Sequence, residues 1–350
     1  MLKRTQLLLI GMVLAVVGCQ KEEPVTGKTA PSGGGAGLKI VYIPKNTGNP
    51  YFKDVIKGFE DASKELKAEF TTTAPATGDA TSQISFIKDQ IQRGVDVIAI
   101  SPNSPDALNP VLDQAKAKGI TVITVDADLS GNESHRDAAV LSTDFSKLGE
   151  SQVELMGSLI GYEGNFAILS ATTDAPNQNV WIAGMKEALK NPKYAKMKLI
   201  DTVYGDDDAQ KSTTECEALL SKHPDLRGII SPTSVGLAAS AQTIQLAGVF
   251  PGGPKAIGKG VQLTGLSTPN QLKKFVKDGA VTSFQLWSPH DMGYIAAFLG
   301  DQIHGGKLKA AEGVDFTAGT LGKRTLGKLN VVNAGPLVTF DKSNIDKYDF

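Results

Sequence analysis

The chain has 350 residues, 41% of them hydrophobic and 21% charged, with 36 basic side chains against 37 acidic ones and a formal net charge of −1. That length exceeds what one compact core usually holds, so two domains are expected. The balanced charge leaves no electrostatic footprint for nucleic acid.

Residues 1–19 depart from this average. Lys3 and Arg4 precede an apolar segment from Leu7 to Val17, which is followed by Gly18 and Cys19. The layout is that of a secretory signal, too short for a committed membrane span. Val16-Val17-Gly18-Cys19 resembles a bacterial lipobox, which implies removal of residues 1–18, a lipidated Cys19 and export to the membrane surface; an ordinary secretory signal with a chance cysteine is the competing reading. Cys216 is then the one thiol left, so no internal disulfide can form. It lies in a helical pattern with no histidine nearby, which points to packing. Gln20 to Gly37 is polar and rich in Gly, Pro, Ser and Thr, as expected of a tether.

Apolar runs then alternate with amphipathic helical patterns. The first series has strands at Leu38–Ile43, Ala68–Thr73, Val95–Ser101, Ile120–Val125 and Ala138–Leu141, with helices at Tyr51–Leu66, Ser82–Arg93 and Pro105–Lys118. Continuous apolar strands such as VDVIAI and ITVITV, separated by single helices, indicate a parallel sheet covered on both faces. A second series starts at helix Phe145–Ile160 and runs to strand Val281–Leu286; helix Pro289–His304 and a tail of short strands and turns follow. The fold class expected is α/β, as two doubly wound lobes with a ligand cleft between them.

In open α/β sheets ligands sit beyond the carboxyl ends of the strands. The first such loop carries Lys45, Asn46, Asn49, Tyr51 and Phe52, amide and ammonium donors beside two rings, which suit a hydroxyl-rich ligand such as a sugar; alternatively the two rings merely begin the helix. Asp126 and Asp128 follow ITVITV, where carboxylates can accept from vicinal hydroxyls, serve as acid and base, or only terminate the strand. Beyond NFAILS stand Asn177, Gln178 and Asn179 with Trp181 nearby, and Asn177 can also cap the helix. Pro232, Thr233 and Ser234 follow the strand GII, and Gln285 and Trp287 lie at the end of VTSFQL. Gly253-Pro254-Lys255-Ala256-Ile257-Gly258-Lys259 has phosphate-loop spacing, but Gly260 replaces the hydroxyl residue and the segment precedes a strand, so it reads as a surface loop. Asp206-Asp207-Asp208 lacks calcium-loop spacing and reads as a solvated helix start. The four histidines show no metal-ligand spacing, and neither metal nor cofactor is expected.

These residues together resemble the type I periplasmic substrate-binding proteins of the ribose-binding family over essentially all of 38–350. Asn49-Pro50-Tyr51-Phe52 is similar to the Asn-Pro-Phe-Phe of ribose binders, Asp126 falls on their sugar-binding aspartate and Gln285 on a ligand-binding glutamine beside the hinge. Ala127 replaces their arginine, and Gly265-Leu266-Ser267 stands in place of Gly-Phe-Asp. A narrower resemblance is to the branch of rhamnose-binding and autoinducer-2-binding proteins, through Ile43-Pro44-Lys45, Val125-Asp126-Ala127-Asp128, Asn177-Gln178-Asn179-Val180-Trp181 and the Ser-Thr-Pro after Leu266. By that resemblance Lys45, Asp126, Gln178 and Pro232 touch ligand, while Asn177 replaces an aspartate and Ser234 an alanine, which favours a deoxy sugar such as rhamnose. The resemblance implies two lobes joined by a three-strand hinge: 38–142 with 286–312, and 144–284 with 313–350, after a signal at 1–18 and a tether at 19–37. It further implies a monomer that binds a carbohydrate and meets an ABC permease, anchored through Cys19, with no nucleic acid, no cofactor and no catalysis. Three rivals stand beside this: a sensor of autoinducer-2 or another signal, an exported sugar-modifying enzyme using Asp126 and Asp128, and the effector core of a repressor. Absence of a helix-turn-helix segment counts against the last.

Overall fold

The computed structural model describes residues 37–350. The signal, the lipidation site Cys19 and nearly all of the tether fall in residues 1–36, outside those described.

The first series folds as β1 (Lys39–Ile43), α1 (Tyr51–Leu66), β2 (Glu69–Thr72), α2 (Ile84–Arg93), β3 (Val97–Ile100), α3 (Asn109–Ala117), β4 (Thr121–Val125) and β5 (Ala138–Leu141). Helix α3 starts later than its apolar pattern suggests. Ser104 Oγ accepts the backbone N–H groups of Asp106 and Ala107, and this local turn replaces the first helical turn. The second series is α4 (Phe145–Ile160), β6 (Gly164–Ser170), α5 (Pro176–Ala188), β7 (Met197–Tyr204), α6 (Ala209–Lys222), β8 (Leu226–Ser231), α7 (Ser234–Ala247), β9 (Gln262–Gly265), α8 (Pro269–Lys277) and β10 (Ser283–Leu286). The chain ends with α9 (Pro289–His304), β11 (Asp315–Thr317), β12 (Lys323–Thr325), β13 (Val331–Asn333) and β14 (Val338–Asp341).

Two sheets result. The first has six strands in the order β13-β5-β4-β3-β1-β2, all parallel. The second orders β7-β6-β8-β9, and a parallel bridge from Leu266 to Gln285 adds the antiparallel pair β10 and β14 at its edge. Strands β3 and β4 are buried at every residue because helices cover both faces, which is why their sequences are continuously apolar. Helix α1 turns Tyr51, Phe52, Val55, Phe59 and Ala62 inward and lies against α9. The two backbones touch where each helix carries a glycine: a Cβ on Gly58 would stand 1.9 Å from the His290 carbonyl oxygen, and one on Gly293 2.0 Å from that of Val55.

The lobe boundaries expected from the sequence need one correction. Strand β13 pairs in parallel with β5, with Val331 opposite Ala139, so residues 313–333 run with the first lobe. The chain passes between sheets after β5, after β10 and between β13 and β14, which gives three crossings. A three-residue edge strand whose partner lies almost two hundred residues upstream carries no local signal of its sheet.

Candidate functional site

The carboxyl ends of both sets of strands face a small cavity of about 40 Å³. It is lined from the first lobe and its crossing by Lys45, Asn49, Tyr51, Phe52, Asp126, Leu286 and Trp287. From the second come Asn177, Gln178, Trp181, Asp207, Pro232, Thr233, Ser234 and Leu266.

The loop after β1 is built from inside. Asn46 Oδ1 accepts the backbone N–H groups of Gly48 and Asn49, each at 2.9 Å, and Asn49 Oδ1 accepts that of Tyr51 at 3.0 Å. These Asx-type bonds spend Asn46 on the turn. Beneath it Gln83, fully buried, donates Nε2 to the carbonyls of Pro44 and Ser101, and Asn103 donates Nδ2 to the carbonyl of Lys45. Lys45 and Asn49 are thereby presented to the cavity by a rigid frame.

Asp126 has left-handed backbone, φ +69, a conformation that aspartate tolerates better than most side chains. Its Oδ1 accepts the Tyr51 hydroxyl at 2.7 Å and its Oδ2 the Asn177 amide at 3.0 Å, while Trp287 Nε1 donates to the Tyr51 oxygen at 2.8 Å. Lys45 Nζ closes the chain on Asn177 Oδ1 at 3.1 Å. Burial raises the Asp126 pKa to about 6, against the opposing pull of the Lys45 charge and the Tyr51 bond. Burial also pushes Lys45 below its ordinary value, with Asp126 and Asp207 pulling it back up. The Tyr51 phenol is driven well above its usual range by burial and then by the Asp126 charge.

In the second lobe Gln178 Oε1 accepts Ser170 Oγ at 2.6 Å and the Ala171 N–H at 2.9 Å, so its NH₂ is the end available to a ligand. Asp207, also left-handed at φ +55, accepts Thr233 Oγ1 on one oxygen and Asn49 Nδ2 on the other, the latter at 3.2 Å. Ser234 Oγ donates to Asn49 Oδ1 at 3.1 Å. Rings pack behind these groups: Trp181 lies 5.8 Å from Trp287 and 5.2 Å from Phe145, centroid to centroid. The Trp181 indole N–H is buried without a partner among the described residues.

Eleven of the fifteen residues singled out from the sequence as ligand-binding therefore share one cavity. The other four stand outside it. Asn46 holds its own turn. Asp128, two residues past a left-handed Asp126, is turned away onto Arg136, whose Nε and Nη2 reach its two oxygens at 2.5 and 2.6 Å, and Thr124 adds a bond at 2.8 Å. Asn179 is exposed and donates to the Thr173 carbonyl. Gln285 is taken up inside the second lobe, its Oε1 accepting from Ser151 and Gln152 and its Nε2 donating to Thr339.

Asp207, Trp181, Leu266 and Leu286 line the cavity without having been singled out as ligand contacts. Asp207 is the instructive one. It sits just past β7, the position that marks every other site loop, but within a run of three aspartates that reads as a solvated helix start. Asp208 does begin a helix, accepting the Lys211 N–H as the N-cap of α6, so the solvated-start reading suits Asp208 and fails for its neighbour.

Residues 40–308 match the family described as periplasmic binding protein domain. A sugar ABC transporter structure from Actinomyces odontolyticus is 39% identical, covering 89% of this chain and 98% of that one, with a TM-score of 0.70. An ABC transporter solute binding protein from Clostridium phytofermentas, solved with bound L-rhamnose, is 30% identical over 89% and 98% of the two chains, with a TM-score of 0.83. The ribose import binding protein of Bacillus subtilis is 23% identical over 310 residues, 88% of this chain and 96% of that protein.

Proposed function

We propose, for a chain that belongs to the periplasmic binding protein family, that it is the lipid-anchored solute-binding component of an ABC importer and that it takes rhamnose or a similar deoxy sugar. Proteins of this family that handle sugars for ABC transporters bind their solutes and do not transform them, and they work outside the cytoplasm. The observation that carries the finer reading is the make-up of the cavity. Carboxylates, amides and an ammonium come from both lobes, so a ligand bonded to both stabilises their closed arrangement over an open one. Beside these groups stand Phe52, Trp181, Pro232, Leu266, Leu286 and Trp287, apolar surface that favours a methyl group over one more hydroxyl. The curated and solved relatives named above handle ribose in one case and hold rhamnose in another, which supports a monosaccharide-sized solute.

Asp128 is held by Arg136 and does not line the cavity, so the Asp126–Asp128 pair of the acid–base reading is not assembled there; the second carboxylate of the cavity, Asp207, is bonded to Thr233 and Asn49. The anchor at Cys19 is part of the proposal. Mass spectrometry of the membrane fraction should show a lipid-modified N-terminal cysteine, and Cys19→Ser should release the protein to the soluble fraction.

The test of the ligand is calorimetric titration with L-rhamnose, L-fucose, D-ribose, D-xylose and autoinducer-2, with each ligand recovered afterwards and checked for change. Tight one-to-one binding of rhamnose or fucose without conversion is expected. Tighter binding of autoinducer-2 would move the role to signalling, an altered sugar would restore the enzyme, and silence across the panel would refute the choice of ligand.

A further inference from the structure

Each lobe places one carboxylate on the cavity, and the two are used in the same way. Asp126, of the first lobe, accepts one hydroxyl from its own lobe, that of Tyr51, and one amide from the other lobe, that of Asn177. Asp207, of the second lobe, accepts the hydroxyl of Thr233 from its own lobe and the amide of Asn49 from the other. The two asparagines are reciprocal as well: the Asn177 carbonyl takes Lys45 Nζ across the cleft, and the Asn49 carbonyl takes Ser234 Oγ across it. Both aspartates have left-handed backbone.

From this reciprocity we infer that Asp207 is a specificity-determining residue of the site, the second-lobe counterpart of Asp126, which accepts a ligand hydroxyl where it now accepts the Asn49 amide. The inference rests on the solute-binding reading and deepens it. An O–H can replace an N–H on a carboxylate with little change in bond strength, so a ligand offering a hydroxyl donor to each lobe displaces both cross-cleft amides and keeps both carboxylates satisfied. A ligand that brings a carboxylate or phosphate meets two aspartates and one lysine in a buried space, and like charges brought together away from water repel strongly. The class selected is therefore a neutral polyhydroxylated molecule with donors at both ends, and sugar acids are excluded.

Asp207→Asn tests this. Asparagine there keeps both present bonds, its carbonyl accepting from Asn49 and its NH₂ donating to the Thr233 hydroxyl, so a residue that merely held the lobes together would leave affinity near that of the wild type. Loss of the charge-assisted bond should instead weaken L-rhamnose, or whichever neutral sugar of the panel binds tightest, by about tenfold. The preference for that sugar over D-galacturonate should also fall, by tenfold or more. Asp208→Asn, the same charge change at the adjacent helix cap, should leave both affinities unchanged. Thermal unfolding checks that each variant is folded, and Asp207→Ser, which still offers an oxygen to Asn49 and Thr233, replaces a variant that is not. The inference is overturned if Asp207→Asn binds the neutral sugar within twofold of the wild type, or if Asp208→Asn loses as much. Should the wild type bind no member of the panel, the choice of ligand fails and the inference falls with it.

Discussion

Replacing Asp126 by asparagine isolates the cost of burying its charge. The carboxyl is buried among Tyr51, Lys45, Asn177 and Asp207, and its pKa rises from an ordinary 3.8 to about 6. A proton is thus held more tightly in the folded protein than in the unfolded chain. The stability this provides is fully present below pH 4 and is lost as pH rises through 6. The difference between those two pKa values corresponds to about 3 kcal/mol. The variant has no such ionisation, and asparagine suits the left-handed backbone at this position. Against this, its NH₂ faces the Asn177 amide that now donates to Oδ2, and losing that bond costs about 1 kcal/mol. The ligand-free variant should therefore be slightly less stable than the wild type at pH 3.5 and about 2 kcal/mol more stable at pH 7.5. Urea unfolding at both pH values measures this, with fluorescence of Trp181 and Trp287, the chain's two tryptophans, as the signal. A stability difference that does not change between the two pH values would refute the reasoning, because burial of the charge would then not be the dominant cost. Sugar affinity should fall in the same variant, so the group that weakens the empty fold is the one that holds the ligand.

Two further substitutions separate structure from binding. Asp128→Ala leaves the Arg136 guanidinium, whose side chain is 1% exposed, without its bidentate partner. Breaking such a pair should cost about 3–5 kcal/mol of stability, while the folded fraction binds sugar as the wild type does; a selective loss of affinity would return Asp128 to the site. Gly293→Ala drives a methyl group into the Val55 carbonyl where α1 crosses α9, and it should destabilise the protein by about 1–3 kcal/mol in the same urea assay, whereas an unchanged midpoint would mean the helices can part freely.

The alternation of strands and helices was legible because parallel strands buried on both faces read as unbroken apolar runs, and VDVIAI and ITVITV became β3 and β4. The cavity was legible for a related reason, since the polar residues just beyond such runs gather at one end of the sheets, although some of them, Asn46 and Asp128 among them, serve the local structure instead. What escaped depends on groups distant in sequence or on backbone angles. Asp126 and Asp128 look like a pair until the left-handed residue between strand and loop sends one to the cavity and the other to Arg136. Gln83 and Asn103 shape the site from below without touching the cavity, and nothing in their neighbourhood of sequence says that they bond to Pro44 and Lys45 carbonyls. Asp207 is hidden in the sequence by its two acidic neighbours, although the three do different things: Asp206 pairs with Lys211, Asp207 meets Asn49 and Asp208 caps α6.

The third crossing bears on how the chain acquires its structure. The first sheet begins at Lys39 and its early strands alternate with α1, α2 and α3, but α9, which covers β3, β4 and β5 on the face it shares with α1, starts at Pro289, and the edge strand β13 lies at Val331–Asn333. The second sheet, by contrast, draws all but β14 from residues 164–286. A chain that crosses a membrane N-terminus first therefore delivers the early strands with α1, α2 and α3 but without α9, so one face over β3, β4 and β5 waits for its cover, and loop closure over that distance is slow. The lobe that begins first is the last to be completed, and the part of its sheet that α9 covers stays exposed and aggregation-prone until that helix arrives. Pulsed hydrogen exchange during refolding would register this as protection of β6, β8 and β9 before β1, β3 and β4; the reverse order would show that the first sheet forms without its late-arriving cover.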